Sequence, residues 1–396
     1  MSRTPKEHLA EISALFTNYS LNLEHIPVAE ALGRRTADAV HAKWDSPRFD
    51  NSQMDGFALS AAHLEGGTFP VGPTIPAGTD PQVSYPHGLG QEIAPIMTGA
   101  KLPEHTAAIV PVEKTNPGTF EAERVTIPPT LAGQFLRLQG SDISAGTEII
   151  PADTELNSVH IAVLASQSIS RVTVWKKPRV ILITGGAEIT STPGVATIPD
   201  ANGPLLRALC ERNGIEVAAQ LQTNDDPQRL RNDVEDAIDH HQPDAIITSG
   251  GISHGKFEVV RQLLSGEPKS WFGHVNQQPG GPQGQALLRN IPVISLPGNP
   301  ISTLVSFTLF AAPAINCQKP LAIYAHLSET TTGLQDDREV FLRGTHKNTD
   351  GRLVATPLQG TSSHLLVQAT TADCLIRIPA RTTVKANDLV QIYPIS

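Results

Sequence analysis

The feature that most constrains this chain is an alternation of strands and helices over residues 178–318. PRVILIT reads as a buried strand, and LLRALCERNG as a helix stopped at Gly214, a residue suited to the left-handed C′ position. EVAAQLQT, DAIITSGG and IPVISLPGNP read as further strands, DPQRLRNDVEDAIDHH as a helix. NPISTLVSFTLFAAPAI reads as a closing helix with Asn299 at its N-cap and Pro300 at its first position. Such alternation calls for a parallel sheet with helices on both faces, and ligands then bind outside the carboxyl ends of the strands. At those ends stand TGGAE, TSGGISHG and LPGNP. TSGGISHG lets a backbone approach an anion closely, yet it also suits a tight turn. LPGNP likewise fits either a ligand turn or a purely structural one.

At 396 residues the chain is too long for one core. It holds 31 Gly and 32 Pro, which favours many turns and short strands over long bundles. Thr4, Pro5 and Glu7 form a helix start, and Leu9, Ile12 and Phe16 follow at helical spacing, so a helix is expected over residues 4–18. Residues 44–131 contain short apolar runs broken by Pro and Gly, and read as a small β-rich unit. SVHIAVLASQS reads as helix and SRVTVW as strand; REVFLRG, RLVATP, CLIRIP and LVQIYP suggest a C-terminal β unit. The expected division is 1–44 with 132–176, 45–131, 177–318 and 319–396.

A formal net charge of −9 without a dense Lys/Arg run argues against nucleic acid and anionic membrane. No apolar run approaches the ~18 residues of a membrane span, and the polar start MSRTPKEHLAE is not a secretory signal. A cytoplasmic location is expected. Cys210, Cys317 and Cys374 are far apart, which argues against a disulfide framework and against a zinc site. The 14 histidines show no ligand spacing, and no GxSxG elbow is present.

SPRFDNSQMDGFAL, residues 46–59, sets Asp50, Asn51, Ser52 and Asp55 around a Met-Asp-Gly turn. It can be a loop entering a strand, with Gly56 supplying a positive φ, or a loop presenting carboxylates to a ligand or metal. Asp142, Glu188, Asp200, Asp225, Asp226 and Glu258 lie near turns or strand ends, where single acids serve as caps; several converging ones could hold Mg2+ through oxygen ligands.

Taken in order, the motifs resemble those of the MoeA family of molybdenum cofactor synthesis, which includes the gephyrin E domain. The resemblance rests on SPRFDNSQMDGFAL, IMTGAKLP with Glu113 beyond it, GSDISAG, PRVILITGG, PDAN, the NDDP turn, TSGGISHG and SLPGNPIS. Weaker echoes follow in Arg343 of REVFLRG, Ser362 of SSHL, and ADCL at 372–375. The resemblance implies a multidomain, elongated α/β homodimer: a central MogA-like parallel-sheet domain with small β-rich subdomains. It implies a molybdopterin molybdenumtransferase that hydrolyses adenylylated molybdopterin, releases AMP and inserts molybdate, with Mg2+ assisting. Possible partners are a molybdopterin adenylyltransferase or molybdoenzymes. Carried onto this sequence, Asp55, Asp142, Glu188 and Asp225 become catalytic candidates. Asp142, Glu188, Asp225 and Glu258 become Mg2+ candidates. Ser52 and Thr98 would donate to oxyanions, and Gly250, Gly251, Ser253, Gly255, Pro297, Gly298, Asn299, Arg343 and Ser362 would bind substrate.

The chain departs from the family pattern within the chemistry. The usual Lys-Pro-Gly-Lys-Pro run reads QQPGGP, so Gln278 and Gly281 stand where lysines are expected. Each lost charge-assisted contact to a dianion is worth about 1.5–3 kcal/mol, and Arg137, Lys101 or Lys256 would have to substitute. TGGAEI lacks the family's aspartate, GSDI lacks one acid, and Glu258 replaces an aspartate. Two readings follow: an active transferase, or an impaired molybdopterin-binding paralogue or scaffold.

Overall fold

The computed structural model describes residues 2–17, 22–185, 189–190, 198–223, 226–252, 258–360, 362 and 365–395. Two compact units emerge: Met1–Asn22 with Lys176–Ser396, and Leu23–Trp175.

The first unit is built on a six-stranded sheet in the order Glu216–Gln222, Arg179–Thr184, Ala245–Ser249, Ile291–Leu296, Pro282–Leu288, Trp271–His274. The first four strands are parallel. Alternate residues face opposite sides, as strand geometry requires. Val180 and Leu182 pack with the helix Asn202–Arg212 and with Leu304 and Phe307. Ile181 and Ile183 pack with Leu230, Val234 and Ile238 of the helix Pro227–His241. Helices therefore cover both faces, as the alternation demands.

The last two strands are antiparallel, which the alternation did not foretell. Strands Pro282–Leu288 and Ile291–Leu296 are joined by Arg289 and Asn290, with φ of +50° and +65°. That is the twist of a two-residue I′ hairpin, but Arg-Asn is a weak signal for it. The closing helix also differs from expectation. It runs as α over Pro300–Ser306, widens to a π turn over Phe307–Ala311, and resumes over Ala312–Ile315. Pro313 lacks an N–H and would crowd the carbonyl of Leu309, four residues back; the wider turn relieves both.

The N-terminal helix, Pro5–Ser13, carries the full capping box between Thr4 and Glu7. Its Ile12, and Phe16 beyond it, enter the core of the sheet unit. Residues 1–22 thus belong with the α/β unit and not with 23–44. Apolar spacing announces a buried face but not which core receives it.

The C-terminal strands close on themselves. Glu339–Thr349, Arg352–Pro357, Ile323–Leu327, Leu389–Pro394 and Cys374–Ile378 hydrogen-bond in that order, and the last pairs back to the first. Their interior is Ala325, Leu327, Val340, Ala355, Cys374, Ile376, Ile378 and Ile392. Gln277–Gln278 adds a short parallel strand beside Glu339–Thr349.

In the second unit, Leu23–Pro27 pairs with Arg171–Trp175 over the helix Ser158–Ser166, burying Ile26, Leu164, Val172 and Val174. Gly56–Ser60 lies between Ala94–Ile96 and Thr106–Pro111. Phe57 and Leu59 face one core and Ala58 another, which explains an apolar run without polar alternation. Across 44–131 the elements are strands and single 3₁₀ turns.

Candidate functional site

At the carboxyl ends of the parallel strands in the first unit, three Gly turns converge. A Cβ on Gly250 would lie 2.7 Å from the Gly185 carbonyl, and one on Gly298 would lie 3.4 Å from the Gly250 Cα. Gly250 and Gly251 have φ of +93° and +68°, a region that side chains disfavour. Backbone therefore approaches backbone here, leaving peptide groups, not side chains, to line the surface.

Buried polar side chains hold these turns together. Asn202 Nδ2 donates to the Gly298 carbonyl at 2.6 Å. Thr303 Oγ1 donates to the Pro297 carbonyl at 2.8 Å and lies 3.1 Å from Ser249 Oγ. Asp200 accepts from Thr184 Oγ1 at 2.7 Å and from the N–H groups of Asn202 and Gly203 at 2.9 Å each. Pro297 is buried, while Gly298 and Asn299 are exposed at the turn. Asn299 occupies the N-cap position, but its side chain does not cap the helix, which corrects the expected cap. Sequence reasoning missed Asn202, Thr184, Ser249 and Thr303 as supports; their only signal was polarity inside or beside an apolar run. Glu188, Asp225, Ser253 and Gly255 lie outside the described residues. Glu258 is partly buried at the start of the helix Val259–Leu264 and makes no side-chain cap.

A second feature of the same unit is a cleft lined by Gln278, Pro279, Ile301, Phe341, Arg343 and Gly360. Arg343 is 4% exposed. It donates to the carbonyls of Leu365 and Gly360, and among the described residues it has no carboxylate partner. Burial lowers its pKa from the ordinary guanidinium value, the direction set by desolvation of a cation. A buried cation neutralised by no acid is an electrostatic invitation to an anion. Gln278 and Gly281 bring no charge to this cleft. Ser362 is exposed.

In the second unit, Asp55 sits on an exposed bend. Its Oδ1 accepts from Thr98 N at 2.6 Å and from Thr98 Oγ1 at 2.7 Å. The Thr98 backbone bond, then its hydroxyl bond, hold the Asp55 carboxyl below its usual range. A carboxylate so stabilised is a weak base and a persistent anion: it suits orienting water or a cation more than removing a proton. Two expectations are corrected here. Thr98 spends its hydroxyl on Asp55. Ser52 is 0% exposed, and its hydroxyl donates to the Met54 carbonyl at 2.6 Å. Neither is an oxyanion donor in this geometry; both shape the loop. Gly56 is also not needed for a positive φ: a Cβ there would meet the Val110 carbonyl at 2.1 Å, so close strand approach demands it.

Asp142 is exposed and accepts from Ser46 Oγ at 3.1 Å. Beside that loop, Asp45 accepts from Ala145 N at 2.8 Å and Gln139 Nε2 at 2.7 Å, and these bonds lower its pKa. Asp50 accepts from Gln139 N at 2.6 Å. The loop Gln139–Ala145 is thus tied down by two acids and leaves the Asp142 carboxylate largely open. Asp142 and Glu258 belong to different units.

Converging Gly turns at parallel strand ends, beside small β-rich units, define a multidomain α/β protein whose glycine turns suit an anionic ligand. Comparison with known proteins narrows this. The MoeA N-terminal region (domain I and II) matches residues 3–168, a "Probable molybdopterin binding domain" residues 175–316, and the MoeA C-terminal region (domain IV) residues 331–395. A molybdopterin molybdenumtransferase of Nostoc sp. is 34% identical, over 74% of this chain and 68% of its own. Molybdopterin molybdenumtransferase 2 of Mycobacterium tuberculosis is 33% identical, over 73% of this chain and 74% of its own. A crystal structure of the molybdopterin biosynthesis moeA protein of Pyrococcus horikoshii OT3 superposes with a TM-score of 0.82 at 21% identity, covering 100% of both chains, a likeness of fold. The chain belongs to the MoeA family of molybdopterin molybdenumtransferases.

Proposed function

We infer that this protein is a transferase of molybdenum cofactor biosynthesis, which inserts molybdate into adenylylated molybdopterin with release of AMP. The observation that carries this reading is the match of three MoeA-type segments, in order, along the chain. The scaffold reading is not favoured, because the curated relatives are transferases.

The substrate carries two phosphoryl groups and a pterin, and the second substrate is a tetrahedral dianion. We assign the phosphoryl groups to the turns at Gly250, Gly251, Gly298 and Asn299, with Ser253 and Gly255 added from the sequence motif alone. Peptide N–H groups in close-packed glycine turns bind phosphate oxygens without a side chain in the way. Molybdate is assigned to the surface around Gln278, Arg343 and Ser362, because the cleft itself has room for little more than one water. Cleavage of the phosphoanhydride needs an oxygen nucleophile at phosphorus and places negative charge on departing AMP. Asp55, held ionised by Thr98, is the proposed catalytic carboxylate of the second unit. Glu188, Asp225 and Glu258 of the first unit are the proposed Mg2+ candidates, and Asp142 of the second is a candidate in its own right, because hard carboxylate oxygens are the fitting donors for that ion. The ion would offset charge on the phosphates.

The division into 23–44 with 132–176, 45–131, 177–318 and 319–396, with residues 1–22 moved to the sheet unit, the cytoplasmic location and the homodimer belong to the same proposal. The helix Ser158–Ser166 supports self-association: it is apolar in composition, yet Leu164 is its buried residue and Val159 is 65% exposed. The adenylyltransferase that supplies the substrate and the molybdoenzymes that take the product are the proposed protein partners.

The test is molybdate-dependent AMP release from adenylylated molybdopterin by the full chain, with Asp55→Asn alongside. The variant is expected to bind substrate normally and turn over at least tenfold more slowly. Absence of AMP release by the wild type at saturating molybdate would refute the function; wild-type turnover by Asp55→Asn would remove that residue from the mechanism.

A further inference from the structure

The sequence, judged by cysteine spacing, holds no zinc site. The closed C-terminal sheet changes that by joining residues from two strands. Strand Glu339–Thr349 pairs with Cys374–Ile378 as far as Gly344, and with Arg352–Pro357 from Gly344 onward. At this parting of strands lie His346, Asp373 and Cys374, and their ligand atoms are all within 4.8 Å of one another.

The placement follows from strand geometry. Alternation puts Val340, Leu342, Gly344 and His346 on the inner face, away from Phe341 and Arg343. Val340 and Leu342 do belong to the inner core, whereas Phe341 joins the core of the α/β sheet. Cys374 is 0% exposed and forms the floor at this end of the inner core. Asp373 is anchored: its N–H donates to the Gly344 carbonyl, and its Oδ1 accepts from His346 N at 2.9 Å. The same oxygen lies 2.8 Å from His346 Nδ1. His346 and Asp373 are 24% and 30% exposed at the side chain, so the cluster is closed below and open above.

We propose that His346, Asp373 and Cys374 form a binding site for a borderline-soft divalent cation of the zinc type, separate from the Arg343 cleft. The donor set decides the metal class. One thiolate, one imidazole and one carboxylate suit Zn2+ or Co2+, whereas Mg2+ takes oxygen donors. Three protein ligands leave a fourth position to water. A cysteine thiol carries its proton at neutral pH, and only the thiolate is a metal ligand. Binding therefore expels one proton from Cys374 to solvent as the metal–sulfur bond forms. If Nδ1 is the ligand, its proton moves to Nε2 through solvent, with no net change. Metal affinity accordingly rises with pH.

The experiment is titration of the full-length, metal-stripped protein with Co2+, followed by Zn2+ competition. Wild type is expected to show one Co2+ with thiolate-to-cobalt charge-transfer absorption, releasing about one proton. Cys374→Ser is expected to lose that absorption, and His346→Gln to lower Co2+ affinity at least tenfold; a control, Cys317→Ala, keeps both. Should Cys374→Ser fail to fold, Asp373→Asn and the wild-type unfolding midpoint with and without Zn2+ carry the test. No charge-transfer band in wild type, or a band surviving in Cys374→Ser, overturns the site. An unchanged affinity in His346→Gln and Asp373→Asn does the same.

Discussion

Gly250 and Gly298 stand in one cradle, yet the structure assigns them different tolerances. Gly250→Ala places an L-residue at φ +93° and a methyl 2.7 Å from the Gly185 carbonyl. The positive φ costs about 1–2 kcal/mol, and forcing the turns apart adds about 1–3 kcal/mol. The sum is roughly 2–5 kcal/mol, a sizeable part of a domain's stability. Gly298→Ala meets the Gly250 backbone no closer than 3.4 Å, and no positive φ opposes it. It should cost less than about 1 kcal/mol, since a less flexible unfolded chain offsets the contact. The assay is guanidinium unfolding in a Trp44→Phe, Trp175→Phe background. Trp271 then reports the unit that contains both glycines, independently of the other. Affinity for adenylylated molybdopterin is measured in parallel, and it should fall further in Gly250→Ala. Equal destabilisation of the two variants, or a Gly250→Ala variant within about 0.5 kcal/mol of wild type, would refute the close-approach argument.

Two other predictions come from the remaining sites. The double variant Gln278→Lys, Gly281→Lys should bind molybdate at least about tenfold tighter by equilibrium titration, since even one restored charge-assisted contact is worth about 1.5–3 kcal/mol. A Cβ on Gly281 meets nothing nearer than 3.4 Å, so unchanged affinity would speak against that assignment and not against the fit of the side chain. Thr98→Val keeps the stronger backbone bond to Asp55 and removes the hydroxyl one, so the Asp55 pKa should rise part of the way toward 3.8. Because the folded value is depressed, the stabilisation it brings is present above the unfolded pKa and lost as pH falls through the lower folded value. Carboxyl-carbon NMR titration of both proteins checks the shift, and identical curves would contradict it.

Much of the architecture was legible because local patterns there have one reading. Strand–helix alternation from Arg179 to Ile315 dictated a parallel core with helices on both faces. The Thr4–Glu7 capping box was readable from four residues. Ambiguity began where the partner lies far away in sequence. Arg289-Asn290 became an I′ hairpin because an antiparallel edge strand was available, and Pro313 became a π turn instead of a break because packing on both sides keeps the helix going.

The candidate site shows the same division. Gly250, Gly298, Asp55 and Arg343 could be named from motifs, because close backbone approach and buried charge tolerate few residue types. What each side chain does was settled only by its neighbours. Ser52 and Thr98 look like ligand donors in sequence, yet their hydroxyl protons are already taken by the Met54 carbonyl and by Asp55. Asn202 and Thr303 look unremarkable, yet they pin the Gly298 and Pro297 carbonyls. His346 and Cys374 meet only because one long strand changes partners at Gly344. A sequence specifies which groups a chain owns and their local periodicity. Hydrogen bonds and electrostatic pairs form at distances of about 3 Å, so which groups remain free for a ligand is decided by long-range pairing, and only the folded chain reveals it.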